Sequence, residues 1–153
     1  MKKTIAMAAM LLAATAHAHV TLEQRSATAG SYQKLTFRVG HGCEGSATRA
    51  ITVVLPEGVS TAKPMPKQGW KIDISPQKIR WTGGPLPDDF YDEFTMQVKL
   101  SQEAGKRYFK VVQTCMKGSM AWDQLPDGSG TKLKAPAPVL DVQPAEATSA
   151  HVH

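Results

Sequence analysis

The sequence lacks most of the features that assign a chain to a common enzyme or membrane class. It has no glycine-rich phosphate loop and no G-x-S-x-G motif, and its longest apolar run is too short for a permanent membrane anchor. Aromatic residues make up only 7% of the chain and are not interleaved with its scattered lysines and arginines. The composition argues against nucleic-acid binding. The absence of these motifs gives no support to either of the catalytic sites that they mark.

The first 18 residues have the three parts of a secretory signal. Two lysines are followed by an apolar stretch, and small residues then occupy alternate positions. One A-x-A site ends at Ala18 and would release a chain beginning at His19, whereas a second ends at Ala16 and would release His17. We predict a signal peptide over residues 1–18 and a periplasmic or secreted protein. Its formal charge falls from +5 to about +3 because both lysines are removed.

Cysteine is scarce, since the chain contains only Cys43 and Cys115. Neither lies near the predicted cleavage sites, so a lipid anchor there is unsupported. Two lone cysteines in an exported protein favour an intramolecular disulfide. Such a bond would stabilise the fold by about 4 kcal/mol, because it reduces the conformational entropy of the unfolded chain. The alternative is a pair of thiolate ligands for a soft metal ion.

Period-two alternation of apolar residues dominates the chain, and no stretch keeps a helical period. Nine segments are predicted to be strands: 19–23, 31–39, 49–55, 70–74, 78–81, 93–100, 107–115, 119–125 and 138–142. Composition predicts loops at 83–85 and 127–130. We predict an all-β, antiparallel immunoglobulin/cupredoxin-like β-sandwich over residues 19–142, followed by a mobile tail over 143–153.

A histidine at the first position of the mature chain would be chemically unusual. It offers an α-amino nitrogen with an ordinary pKa of about 7.7–8.0 and an imidazole with one of about 6.5. Both bind metals once deprotonated, and they are close enough to chelate one ion. The simpler interpretation is that histidine merely follows the cleavage site.

Other potential ligands are dispersed along the chain, and each has an ordinary structural interpretation. His41 and Glu44 lie in a glycine-rich loop, where an acid is usually only solvated. Trp122 lies on a predicted strand, where tryptophan usually packs in the core. The tail residues His151 and His153 are further candidates, and their ordinary interpretation is a tail without function. The thioethers of Met116 and Met120 are also candidates, although methionines more often fill gaps in a protein core.

Several motifs in order resemble the YcnI-like domain. They are "AHAHVTLEQRSATAGSYQKLTFRVGHGCEGSAT", "P-x-x-G-W", "W-x-G-G", the strand ending in "Q-T-C" with "AW" after it, and "PAPVL". The likeness runs from His19 to about Val142. It implies an exported copper-associated domain in which Cu(II) is held by the amino-terminal histidine, His19, together with Glu44 and Trp122. The loop also carries His41, which some relatives lack and which becomes a possible extra ligand.

The expected function is therefore Cu(II) binding by a non-enzymatic module that buffers or delivers copper. Its partners would be the copper ion and another copper-handling protein of the cell envelope. Tetragonal nitrogen and oxygen donors suit Cu(II), and cleavage after Ala18 is favoured because "HVTLE" then enters the first strand at once. Two alternatives stay open: a copper-dependent oxidative enzyme and a metal-free interaction sandwich.

Overall fold

The computed structural model describes residues 19–147, so the predicted signal peptide and the tail histidines His151 and His153 lie outside the described residues. The described part of the chain contains twelve strands and no helix, and hence no helix long and apolar enough to cross a membrane. The strands are β1 (Thr21–Leu22), β2 (Ser26–Thr28), β3 (Tyr32–Val39), β4 (Thr48–Val54), β5 (Val59–Pro64), β6 (Trp70–Ser75), β7 (Lys78–Leu86), β8 (Asp92–Leu100), β9 (Gly105–Tyr108), β10 (Lys110–Cys115), β11 (Ser119–Trp122) and β12 (Val139–Gln143).

The strands form three sheets. The first has the order β1-β3-β8-β5, the second β11-β10-β4-β7-β6, and the third β2-β12-β9. All neighbouring strands are antiparallel except β2 and β12, which pair in parallel. The predicted all-β, antiparallel sandwich is therefore confirmed, with one parallel pair that strand alternation does not reveal.

The core lies between the two larger sheets, where alternate side chains of each strand point inward. On β3 and β8 the apolar residues at alternate positions are all buried: Leu35, Phe37, Val39, Phe94, Met96, Val98 and Leu100. The Phe94 ring of the first sheet contacts the Trp81 ring of the second, with centroids 5.6 Å apart. Apolar burial on both inner faces thus fixes which side of each strand faces the core.

One residue of the outer face of β3 is also covered. Thr36 alternates on that face with the exposed Lys34 and Arg38, but it is buried, and its hydroxyl lies 3.2 Å from the hydroxyl of Thr95 on β8. The Gln24 side chain accepts a hydrogen bond from the Thr36 backbone N–H. The segment that follows β1 therefore shields this part of the sheet from solvent.

The sequence-based assignment of strands and loops is wrong in four places. β2 and β5 were not predicted because neither has a regular apolar alternation, and the 107–115 segment is divided at Phe109 into β9 and β10. Residues 83–85, predicted as a loop, belong to β7. A Cβ at residue 83 would lie 2.2 Å from the Gly69 carbonyl oxygen. Glycine is therefore needed at this position because the chain leading into β6 approaches closely, and not because the chain turns.

Candidate metal site at the amino-terminal strand

His19 lies at the point where the chain enters the fold. The next residue, Val20, is buried in the core, and β1 begins one residue later. β1 pairs with β3 so that Thr21 faces Arg38. Continuing this register by two residues places His19 opposite Gly40, the residue before His41. The position of the His19 backbone is therefore set by core packing and strand pairing on its carboxyl side.

The His19 ring lies against the indole of Trp122 at the end of β11. The ring centroids are 5.6 Å apart and the planes are tilted by 55°. Trp122 is only 2% exposed, and its Nε1–H donates a hydrogen bond of 3.1 Å to Oε1 of Gln113 on β10. Trp122 is thus a core residue, as the ordinary interpretation expects, and also forms one side of the His19 environment.

The loop after β3 begins at Gly40, which lines the same recess as His19. The Gly42 N–H donates to the carboxylate of Asp88, and the His41 carbonyl accepts from Nε2 of Gln113 at 2.6 Å. The His41 ring Nδ1 lies 2.5 Å from the Gly42 carbonyl oxygen. A Cβ at Gly42 would lie 1.8 Å from the Ser46 carbonyl oxygen, so only glycine fits this close turn.

Glu44 lies on the tight turn that follows this loop. The turn is closed by two backbone hydrogen bonds between Cys43 and Ser46, and its central residues Glu44 and Gly45 have φ angles of 48° and 83°, as in a type I′ turn. Cys43 is joined to Cys115 at the end of β10 by a disulfide, which confirms the predicted pairing. The disulfide therefore ties the Glu44 turn to the second sheet.

Glu44 is exposed and lines a recess together with Cys43 and residues 117–120. Met120, in that recess, precedes Trp122 by two residues and so shares its face of β11, about 7 Å away along the strand. Glu44 and the His19–Trp122 contact therefore border different recesses, and Met120 lies in the recess of Glu44. Within residues 19–147, no group of three or more His, Cys, Asp or Glu side chains is arranged to hold a metal ion.

Arg38 places a positive charge in a recess that His19 also lines. Both residues line an open recess of about 330 Å³ together with Thr21, Gly40 and Tyr91. The Glu93 carboxylate accepts a hydrogen bond of 2.8 Å from Nε of Arg38, and this bond raises the pKa of the guanidinium above its ordinary value. Arg38 stays positively charged, and its ion pair with Glu93 offsets part of that charge beside the recess.

The structure thus brings His19 and Trp122 into contact and places the start of the His41 loop beside His19. Glu44 lines a different recess. Met120 is half-buried in the recess of Glu44, whereas Met116 is exposed. Sequence reasoning missed Gln113, which connects Trp122 to the loop. The available signal was a polar residue at an inward position of the "KVVQTC" alternation, where an apolar residue is the rule.

Comparisons with known proteins agree with this architecture. The family model for a domain of unknown function, DUF1775, matches residues 19–79 and 71–142. A solved structure of an uncharacterized protein from Nocardia farcinica with an immunoglobulin-like fold is 30% identical, with a TM-score of 0.73, and covers 81% of this chain and 97% of its own. This neighbour confirms the predicted immunoglobulin-like sandwich.

More distant structural neighbours are cohesins. A non-cellulosomal cohesin from Archaeoglobus fulgidus is 9% identical, with a TM-score of 0.49, and covers 82% of this chain and 90% of its own. The seventh ScaB type I cohesin from Pseudobacteroides cellulosolvens is 10% identical, with a TM-score of 0.49, and covers 88% and 97%. No curated protein matches the chain. Because the family model spans most of the described residues, the chain belongs to the DUF1775 family of domains of unknown function.

Proposed function

We propose that this protein is an exported Cu(II)-binding module that buffers or delivers copper in the cell envelope. The observation that carries the proposal is the placement of His19, whose ring packs on a buried tryptophan one residue before the chain enters the core. The resemblance to the YcnI-like domain and the disulfide, which is typical of oxidising compartments, support the same function. The protein would act as a binding protein rather than an enzyme.

The proposed donor set is a chelate supplemented by a side chain. Cleavage after Ala18 would give His19 a free α-amino group, so one residue would supply two nitrogens to the same ion. Glu44, which lines a different recess, would have to move toward His19 to supply an oxygen and a compensating negative charge, and His41 is the alternative third donor. These are the donor types that Cu(II) prefers, and they fit a site built at a chain terminus.

The surroundings of His19 also suit the exchange of a metal ion. Trp122 would cover one side of the ion with an indole that packing and a hydrogen bond already hold in place. His19 also lines the open recess that contains Arg38 and Tyr91, and Tyr91 is 71% exposed. A copper ion held there would be shielded on one face and reachable by a partner on the other.

Equilibrium dialysis tests the proposal directly. Protein beginning at His19 is expected to retain one Cu(II) per chain at neutral pH, and Glu44→Gln should weaken the binding less than loss of the His19 ring in His19→Ala. The reason is that glutamine keeps an oxygen near the ion and loses only the charge. Failure of the protein to retain copper would overturn the proposal in favour of a metal-free interaction sandwich.

Trp122 is expected to report on bound copper through its fluorescence. Cu(II) quenches nearby indoles, and Trp122 is the tryptophan that contacts His19, whereas Trp70 and Trp81 pack on Phe94. Trp122→Phe should therefore remove most of the copper-induced quenching, while Trp70→Phe, the matched control, should leave it unchanged. Undiminished quenching in Trp122→Phe would mean that copper binds elsewhere.

A further inference from the structure

The side chain of Gln113 is a fully buried amide with three partners. It is 1% exposed. Its Oε1 accepts from the Trp122 indole, and its Nε2 donates to the His41 carbonyl at 2.6 Å and lies 2.8 Å from Oγ1 of Thr48. A buried amide is costly unless its polar atoms are paired, and here both ends are paired. The amide group therefore has one favourable orientation.

These partners belong to parts of the chain that no backbone pairing joins directly. Trp122 ends β11 in the second sheet, whereas His41 follows β3 of the first sheet. His19 borders both, since its ring contacts Trp122 and it lines one recess with Gly40, the first residue of the loop. Gln113 thus spans the two structures against which His19 lies, from the buried side.

We propose that Gln113 is the positioning residue of the His19 site, holding the Trp122 indole and the His41 loop at a fixed separation around the histidine. Its effect on copper binding depends on the proposed function, but its effect on His19 does not. A site whose walls are fixed before binding loses less conformational entropy when the ion arrives. The amide is suited to this position because it both accepts from the indole N–H and donates to the His41 carbonyl.

Neither close substitute reproduces both bonds. In Gln113→Leu, the Trp122 N–H and the His41 carbonyl both lose a buried partner. In Gln113→Met, the thioether sulfur accepts only weakly from Trp122 and has no hydrogen for the His41 carbonyl. The Cys43–Cys115 disulfide joins the same loop to the same strand, which favours folding of these variants.

The first test uses metal-free protein beginning at His19. In Gln113→Leu, the nuclear magnetic resonance signals of the Trp122 indole N–H and of the His19 ring are both expected to shift, because the ring lies in the field of the indole. Thr95→Val is the matched control, since it removes a buried hydrogen bond of the other sheet and should leave both signals unchanged. Unchanged His19 signals in folded Gln113→Leu would refute the positioning role.

The second test measures Cu(II) affinity by competition with a chelator. Gln113→Leu is expected to bind Cu(II) about 10- to 100-fold more weakly, the range seen when partners that orient metal ligands are lost, and Thr95→Val should bind normally. Shifted His19 signals with unchanged copper affinity would overturn the role in metal binding. A wild-type protein that binds no copper would refute the proposed function, while the metal-free signals would still decide whether Gln113 positions His19.

Gln113→Met keeps the proposal testable if Gln113→Leu does not fold, because its unbranched side chain is similar in length to that of glutamine. Its Trp122 indole signal should move, because sulfur is a weak acceptor. The backbone signals around His41 should move, because the donor is lost. Movement of the indole signal without any change at His41 would contradict the bridging arrangement.

Discussion

One additional methionine ahead of His19 is expected to weaken Cu(II) binding by roughly 100-fold or more, the scale of the gain from linking two donors in one molecule. The extra residue converts the α-amine into an amide, whose nitrogen lone pair is delocalised into the carbonyl group. The imidazole is untouched, so a site built from side chains alone would bind copper as before. Competition titration of the two forms measures the difference.

The control for this comparison is the stability of the folded protein in the two forms. Val20 is buried and β1 is paired in both forms, so the extended protein should unfold at the same denaturant concentration as protein beginning at His19. His19→Ala, which keeps the amine and loses the ring, should weaken binding as well. Equal affinities for the extended and processed forms would refute the chelate and transfer the site to His41 or to the tail histidines His151 and His153.

Removal of the disulfide is expected to lower the free energy of unfolding by about 4 kcal/mol, because the bond closes a loop with a sequence separation of 72 residues. The suitable change is the double variant Cys43→Ala with Cys115→Ala, which leaves no free thiol. Both sulfurs are buried, so part of the loss will come from packing. Urea unfolding at equilibrium measures it.

Reduction of the wild-type protein is the control for the disulfide prediction. Reduced wild type and the double variant should unfold at similar urea concentrations, since both lack the constraint on the unfolded chain. If the double variant were as stable as the oxidised wild type, the turn at Glu44 would have to be held by Gln113 and the strand pairing alone. The account of how the loop is anchored would then be wrong.

Strand alternation predicted the fold well where one face of a strand is buried. The inward residues of β3 and β8 follow from their spacing because a slip of one position would expose every apolar side chain. β2 and β5 were missed because they are short or irregular. β5 changes register between Ser60 and Lys63, and Thr61 there has a φ of 51°, so period-two alternation is broken.

The candidate site was predictable only in part, since it joins segments that lie far apart in the sequence. The pairing of His19 with Trp122 came from the resemblance to a family, because no local pattern connects residues 103 positions apart. The bridging role of Gln113 depends on which two partners its amide reaches, and this emerges only once three strands are packed together. The inward polar position marks such a residue but does not identify its partners.

The most direct test of the copper chelate is pulsed electron paramagnetic resonance of Cu(II) bound to a protein with a single histidine. Residues 19–147 with His41→Gln retain only His19 among the five histidines of the sequence. Labelling with ¹⁵N-histidine then marks the amine and the imidazole of that residue. The account predicts that directly bound nitrogens of both groups change their coupling to copper on labelling; coupling to the ring alone, or no protein-bound copper signal, would contradict it.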